Sequence, residues 1–370
     1  MPRILTINPG STSTKVGLFD EHTVLFTQTI QHEKSMLLRF ERAMDQLKFR
    51  QDAVATCLAE HNAPLSSIDA IVGRGGLLRP IPGGVYAITQ DLLDDLACAK
   101  YGEHPSNLGA FLAHHLSEQT GKPAFIVDPV VTDEMRLLSR VTGLAGLQRR
   151  SVFHALSHRA AARQAATRLS ITYEEGKFVV VHMGGGVSLA AHDHGRVVDV
   201  VNALDGEGPF SPERTGALPL LPLLDRLEAG QFTIPELRKI VLTQGGLTSH
   251  LGTNDLREVE RRIEAGDQHA PIVFKALCLN IAKYAASLLP SLYVDNVAQA
   301  DAFVLTGGMA GSINLTNCLT DLLAPTSTVL VVPDLGELRA MAEGGFMALH
   351  GDVEVQLYAH TPRVHCDDFL

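Results

Sequence analysis

The sequence predicts an α/β protein built from two duplicated domains, each a mixed sheet flanked by helices. Three observations predict this. The chain of 370 residues is 45 % apolar but only 5 % aromatic, with no Trp. Its core must therefore be assembled from Val, Ile, Leu and Ala, as in parallel or mixed sheets covered by helices. A glycine-rich β-hairpin occurs twice, the copies starting about half a chain apart. Behind each hairpin, amphipathic helices alternate with short buried strands, and the length suits about two domains of ordinary size.

The elements follow in order. Residues 4–7 are an apolar strand, Asn8-Pro9-Gly10-Ser11-Thr12-Ser13-Thr14 a turn, and 15–19 the returning strand, with 24–26 as a third. Helices are expected at 36–58, 90–100 and 108–118, and strands at 70–72 and 124–127. The plan restarts with Phe178-Val179-Val180-Val181, turns at His182-Met183-Gly184-Gly185-Gly186, returns over 187–191 and adds a strand at 197–201. Helices at 234–242, 256–265 and 273–288 and strands at 302–306 and 328–332 complete the second copy. A last helix at 338–350 precedes a polar tail.

Turns of this kind crowd backbone N–H groups together and make anion nests, and glycine lets the backbone come close. Two in one chain point to phosphates gripped from both sides. Neither G-x-x-x-x-G-K-[ST] nor a G-x-G-x-x-G between strand and helix is present, which excludes a Walker loop and a dinucleotide fingerprint.

Net charge is −10, from 31 basic and 41 acidic residues, with no Lys/Arg run. Such a field does not attract nucleic acid or an anionic membrane, so neither is expected as a partner, and an anionic substrate must be met by a few converging cations. Cys57, Cys98, Cys278, Cys318 and Cys366 are odd in number and scattered, with no C-x-x-C, as for free thiols in a reducing compartment. Met1-Pro2-Arg3 runs straight into a strand, leaving no room for a signal peptide. No apolar run is read as approaching the roughly 18 residues that span a bilayer, and a cytoplasmic location is expected.

Several runs are more specific. They are Ile7-Asn8-Pro9-Gly10-Ser11-Thr12-Ser13-Thr14-Lys15, Gly73-Arg74-Gly75-Gly76, His104-Pro105-Ser106-Asn107 and Val127-Asp128-Pro129. Further on come Arg149-Arg150-Ser151-Val152-Phe153-His154-Ala155-Leu156-Ser157-His158, His182-Met183-Gly184-Gly185-Gly186, Glu213-Arg214-Thr215-Gly216 and Thr306-Gly307-Gly308-Met309-Ala310-Gly311. Together they resemble the acetate and butyrate kinase family of the actin-like ATPase superfamily, along nearly the whole chain. The first turn, the His-Pro-Ser-Asn run and the length are closer to its butyrate kinases.

The resemblance implies two duplicated actin-like (ribonuclease H-like) domains with the active site in the cleft between them. Residues 1–132 plus 340–370 would form the acid-substrate side and 133–339 the nucleotide side. It implies ATP/ADP and Mg2+ as cofactors, a short-chain carboxylic acid as substrate, and a homodimer or larger homo-oligomer. By resemblance Arg74 contacts the substrate carboxylate or the γ-phosphate, Asp128 orients the metal or an arginine, and His154 stabilises the phosphoryl group in transfer. Arg214 lies in a loop with Gly206, Gly208, Pro209 and Pro212 that could swing it onto the phosphates. Asn8, Ser11, Ser13 and Lys15 of the first turn, and His182, Gly184, Gly185 and Gly186 of the second, would meet phosphates.

Gly307, Gly308 and Gly311 resemble an adenosine-binding turn, and Thr253-Asn254-Asp255-Leu256-Arg257 a ribose-binding segment. Asp255 would also serve as the N-cap of the following helix. Asn8 and Glu337 are the metal candidates. The family's Pro-x-x-Glu-Glu-Leu segment reads here Pro333-Asp334-Leu335-Gly336-Glu337-Leu338, so one acid of the pair is missing.

A carboxylate nucleophile is already ionised near neutral pH, given reference pKa values near 4. No general base is needed, and catalysis should be positioning plus positive charge around the phosphoryl group. Two readings of other classes stand beside this one. An actin-like ATPase serving as chaperone or filament subunit would want a peptide-binding domain or long inserts. A sugar kinase or exopolyphosphatase would use Asp128 as a general base. The His154 and His158 spacing could also suggest a zinc pair, but no Glu lies between them and no third ligand is evident.

Overall fold

The structure, a computed structural model, describes residues 1–202, 204–294 and 299–361; Cys366 lies outside them. The chain divides into two units, Met1–Asp133 with the described residues from Leu335 on, and Glu134–Asp334. Residues 335–339, assigned above to the second half, thus belong to the first unit.

The first unit is a seven-stranded mixed sheet. The strands are β1 (Ile4–Pro9), β2 (Ser13–Phe19), β3 (Val24–Gln31), β4 (Ala70–Gly73), β5 (Val85–Ala87), β6 (Ala124–Val127) and, near the chain end, β12 (Val355–Gln356). Their order is β12-β5-β6-β4-β1-β2-β3. β1, β2 and β3 form an antiparallel meander, and β4 and β6 add in parallel. β1 is buried at every position, whereas the edge strand β3 alternates exposed and half-buried residues, as central and edge strands do. Leu5, Ile7, Val16 and Leu18 pack on Val54, Leu58, Leu108 and Leu112 of helices Leu47–Glu60 and Leu108–Thr120. Each such side chain contributes about 1.5–3 kcal/mol on full burial. Gly73 and Gly109 let the end of β4 and the start of helix Leu108–Thr120 touch backbone to backbone, since a Cβ on either would collide with the other segment's main chain.

The second unit repeats the core of this plan. Strands β7 (Lys177–Met183), β8 (Val187–Asp193) and β9 (Arg196–Val201) form the meander, and β10 (Ala302–Thr306) and β11 (Val329–Val331) add in parallel. The order is β11-β10-β7-β8-β9. Strand for strand this is β6-β4-β1-β2-β3 again. Helix Ala155–Arg168 packs Ala161, Ala162 and Ala165 against Phe178, Val180 and Val304. Helices Ala270–Ser287 and Ile313–Leu323 pack against Val179, Val181 and Leu305.

Several expectations are corrected. The single helix expected at 36–58 is broken. It is a short helix at Lys34–Leu37, a 3₁₀ turn at Ala43–Gln46 and a helix at Leu47–Glu60. The chain restarts at Arg42, whose backbone N–H donates to the Asp45 carboxylate in a capping box. The segment Ala270–Leu292 is, by length and composition, long and apolar enough to cross a bilayer, at a mean hydropathy of 1.5. Lys275, Asn280 and Lys283 interrupt the run to the eye. Phe274, Leu277, Cys278, Ile281 and Ala285 of its helix are buried in the second unit's core. The reading also missed β5 and β12 and the helices Ala155–Arg168, Leu220–Glu228 and Ile313–Leu323.

Candidate active site

In the first unit, Glu337 gathers the candidate cations. It opens the helix Glu337–His350 after Gly336, which holds a left-handed φ of 74°. Asn8 Nδ2 donates to Glu337 Oε2 at 2.8 Å, Lys15 Nζ lies 3.8 Å from the same oxygen, and Arg74 Nη2 lies 3.6 Å from Oε1. The hairpin register explains the first two, because Asn8 and Lys15 are paired on β1 and β2. Arg74 follows β4, its backbone N–H bonded to the Ile7 carbonyl at 2.9 Å. Its side chain is 14 % exposed, and its Nη1 is buried with no hydrogen-bond partner. A buried guanidinium nitrogen without an acceptor is costly and invites an anionic oxygen.

Asp128 is fully buried directly after β6, at a left-handed φ of 38°. Its Oδ1 accepts the Gly84 N–H at 2.8 Å while its own N–H donates to the Gly84 carbonyl. A Cβ on Gly75 would lie 2.5 Å from Pro129 Cβ, so the Arg74 loop abuts the Asp128 loop. His104 caps a short 3₁₀ turn, its Nδ1 accepting the Ser106 N–H. Burial, then Arg50 and Arg74, hold its imidazole below the usual range.

In the second unit, imidazoles take the place of these groups. His182 pairs with Ser188 across β7 and β8. The His154 and His182 rings stack with centroids 4.3 Å apart. Ser188 Oγ bridges His154 Nδ1 at 2.8 Å and His158 Nε2 at 2.9 Å. His158 is fully buried, and burial followed by the neighbouring imidazoles keeps it neutral far below its ordinary titration. Its Nδ1 has no hydrogen-bond partner, and an orphaned acceptor costs less than an orphaned N–H. His158 therefore carries its proton on Nε2 and donates to Ser188. The serine hydroxyl then donates to His154 Nδ1, which leaves the His154 proton on Nε2.

Arg214 packs its guanidinium directly on Gly186 of the second turn, in the space a Cβ there would take. Its backbone N–H donates to Ser211 Oγ, which in turn donates to the Gly185 carbonyl at 2.8 Å. Burial lowers its guanidinium from the usual value, with Glu213 opposing.

Beside this turn is a cavity of about 670 Å³, within the range of small-molecule sites. Gly184, Gly185, Asp255, Arg257, Gly308 and Gly311 line it together. Asp255 caps helix Leu256–Glu264, accepting the Arg257 N–H at 3.0 Å, and pairs with the Arg257 guanidinium at 2.8 Å. Gly307, at φ 90°, presses its backbone against Met183 instead of lining the cavity. Ser11 stands on the first turn and Ser13 opens β2, both outside the Glu337 group.

Sequence reading missed Glu260, which lines the cavity and accepts from Ser312 Oγ at 2.6 Å. It also missed Arg50, for which its place on a helix with no motif gave no signal. Among the described residues no group of three or more His, Cys, Asp or Glu is arranged to hold a metal. Glu337 and the Asn8 side-chain oxygen nevertheless offer one carboxylate and one amide oxygen, which suits magnesium, an ion that binds through few protein oxygens, water and substrate phosphates.

A profile of the Acetokinase family matches residues 141–327. A probable butyrate kinase of Maridesulfovibrio salexigens is 48 % identical over 96 % of this chain and 98 % of its own. One from Oleidesulfovibrio alaskensis is 49 % identical over 95 % and 97 %. The crystal structure of Porphyromonas gingivalis acetate kinase superposes with a TM-score of 0.76 at 19 % identity, covering 94 % of this chain and all of that one, which shows the shared actin-like fold. On the family match and on identity of this extent, the chain belongs to the acetokinase family.

Proposed function

We propose that this protein is an ATP-dependent kinase of short-chain carboxylic acids, with butyrate or a close relative as the acid. An oxygen of the substrate carboxylate attacks the γ-phosphorus, the bond to the bridging oxygen of ADP breaks, and acyl phosphate and ADP result; the reverse reaction makes ATP. The observation that carries the reading is Arg74, whose buried Nη1 has no hydrogen-bond partner, gathered around Glu337 with Lys15 and Asn8. A site that must bring one anion against another needs such cations, which are worth on the order of 10³-fold or more in phosphoryl transfer. The names of the curated relatives support butyrate as the acid.

The second unit's cavity takes the adenosine, with Asp255 and Arg257 at the ribose and Gly308 and Gly311 at the base. His154, with its proton on Nε2, donates to the phosphoryl group, and Arg214 adds charge at the second turn. Asp128 holds the Arg74 loop, and Ser11, Ser13 and Lys15 meet the terminal phosphate. Glu337 and Asn8 would hold Mg2+, which supplies charge neutralisation at the phosphates. The protein works as a homodimer or larger even assembly in the cytoplasm. In support, helix Leu220–Glu228 buries none of its residues and exposes Leu220 and Leu221.

The test is hydroxamate trapping of acyl phosphate with MgATP and acetate, propionate, butyrate, isobutyrate and valerate. A signal peaking at butyrate or a branched acid is expected. A peak at acetate would keep the kinase and change the acid. ATP hydrolysis indifferent to every acid would overturn the reading.

A further inference from the structure

Behind the first turn lies a charge that no mechanism above uses. Arg50 sits in helix Leu47–Glu60, is fully buried, and forms no ion pair among the described residues. All five of its N–H donors are engaged, every one by a neutral acceptor. Nε and Nη2 bond Gln46 Oε1 at 3.0 and 2.8 Å, Nη2 bonds the Gly10 carbonyl at 2.9 Å, and Nη1 bonds the Ser13 carbonyl at 3.0 Å and Thr14 Oγ1 at 2.9 Å. Burial lowers its pKa to about 10, which still leaves it charged at neutral pH. A buried cation without a counter-ion is expensive.

The turn in front of it is built one-sidedly. The Gly10 and Ser13 carbonyls are held by Arg50, and the Thr12 carbonyl accepts the His32 N–H at 2.8 Å. Thr14 Oγ1 accepts from Arg50 and lies 2.8 Å from His32 Nε2, within hydrogen-bond distance. The backbone N–H groups of Ser11 and Thr12 donate to no protein group among the described residues, and both residues are exposed. Two of the turn's carbonyls, those of Gly10 and Ser13, thus point back to a buried positive charge, while the Ser11 and Thr12 amides are left for an outside acceptor.

We propose that Arg50, locked by Thr14 and His32, is a positioning residue that polarises the first turn into an anion receptor for the terminal phosphate of ATP. It touches no substrate. It orients the Ser11 and Thr12 amides and raises the potential at their outer face. The inference rests on the proposed role of this turn in binding phosphate.

The experiment compares dissociation constants for ATP and for adenosine on the full-length protein by isothermal titration calorimetry. In Arg50→Met the ATP constant rises about tenfold or more while adenosine binding is unchanged, and Arg50→Lys, which restores the charge, recovers part of the loss. A folded Arg50→Met with the wild-type ratio of the two constants would overturn the proposal. Should Arg50→Met not fold, Thr14→Val reads the same quantity by loosening the Arg50 fork at constant charge. A wild-type ratio there and in Arg50→Lys counts equally against the proposal. Ser11→Pro, which deletes one outward amide, separates the two levels. If it too keeps the wild-type ratio, the turn does not bind phosphate. If it alone shifts the ratio, the turn stands and Arg50 is merely structural.

Discussion

The two units use one strand order for two chemistries. In each, a meander is extended on one side by two parallel strands. In each, the last pair but one before the hairpin turn carries candidate site residues, Asn8 with Lys15 in the first and His182, opposite Ser188, in the second. One guanidinium serves each turn, Arg50 beneath the first and Arg214 on the second. On the proposed function, the topology fixes where an anion is met, and the side chains at equivalent positions decide how. Lys15, Arg74 and Glu337 gather at the first hairpin, and stacked imidazoles and glycine at the second. A reaction that joins a carboxylate to a phosphoryl group needs both kinds of surface.

The sharpest way to break the comparison is to remove a cation from each half. Arg74→Ala and Arg214→Ala should each lower kcat on the order of 10³-fold, measured by hydroxamate formation at saturating ATP. Arg214→Ala should leave nucleotide affinity largely intact. Activity within about tenfold of wild type, or about 1.4 kcal/mol of barrier, would remove that arginine from the proposed chemistry.

Next in size are the two glycines at the ends of the parallel strands β4 and β10. Gly73 faces the Gly109 backbone and Gly307 faces that of Met183. Alanine at either should cost about 2–3 kcal/mol by urea unfolding, from overpacking against main chain. Gly307 carries an added penalty because its φ is 90°. If Gly73→Ala proves the costlier of the two, contact and not backbone strain governs these junctions.

Much of this was legible beforehand, for identifiable reasons. The hairpins announced themselves because glycine-rich turns between runs of Val and Ile have few other readings. The break in the expected 36–58 helix was hidden, since Asp45 looks like any polar residue until its carboxylate is seen capping Arg42. β5 and β12, of three and two residues, are too short to show a period. Glu337 looked doubtful as half of a lost pair, yet the helix start aims it at Asn8, Lys15 and Arg74. Arg50 carries no local signal at all, because its meaning lies in carbonyls some forty residues earlier.

The imidazoles of the second unit should make it sensitive to acid. His158 and His192 are fully buried, and burial is the largest cause holding both well below 6.5 when folded. Only the unfolded chain binds protons there as the pH drops below about 6.5. Stability is thus complete above that value and falls below it, by about 1.4 kcal/mol per pH unit for each group. Urea midpoints between pH 7 and 5 read this directly. His192→Phe, which keeps a ring against His158, should remove about half of the slope. A flat profile for the wild type would mean that the imidazoles are not buried as a neutral set.

The smallest effect separates two acids that both stand at helix starts. Glu337 occupies the first turn of its helix without capping it and faces cations, whereas Asp255 is a cap. Asp255→Ala should therefore cost about 1 kcal/mol of stability, and Asp255→Asn, an equally good cap, should restore most of it. The exposed Asp255–Arg257 ion pair adds little. Nucleotide binding resolves the rest. If the carboxylate also meets the ribose, adenosine affinity falls in Asp255→Asn although stability does not. If affinity follows stability through both variants, Asp255 shapes the cavity only by starting its helix.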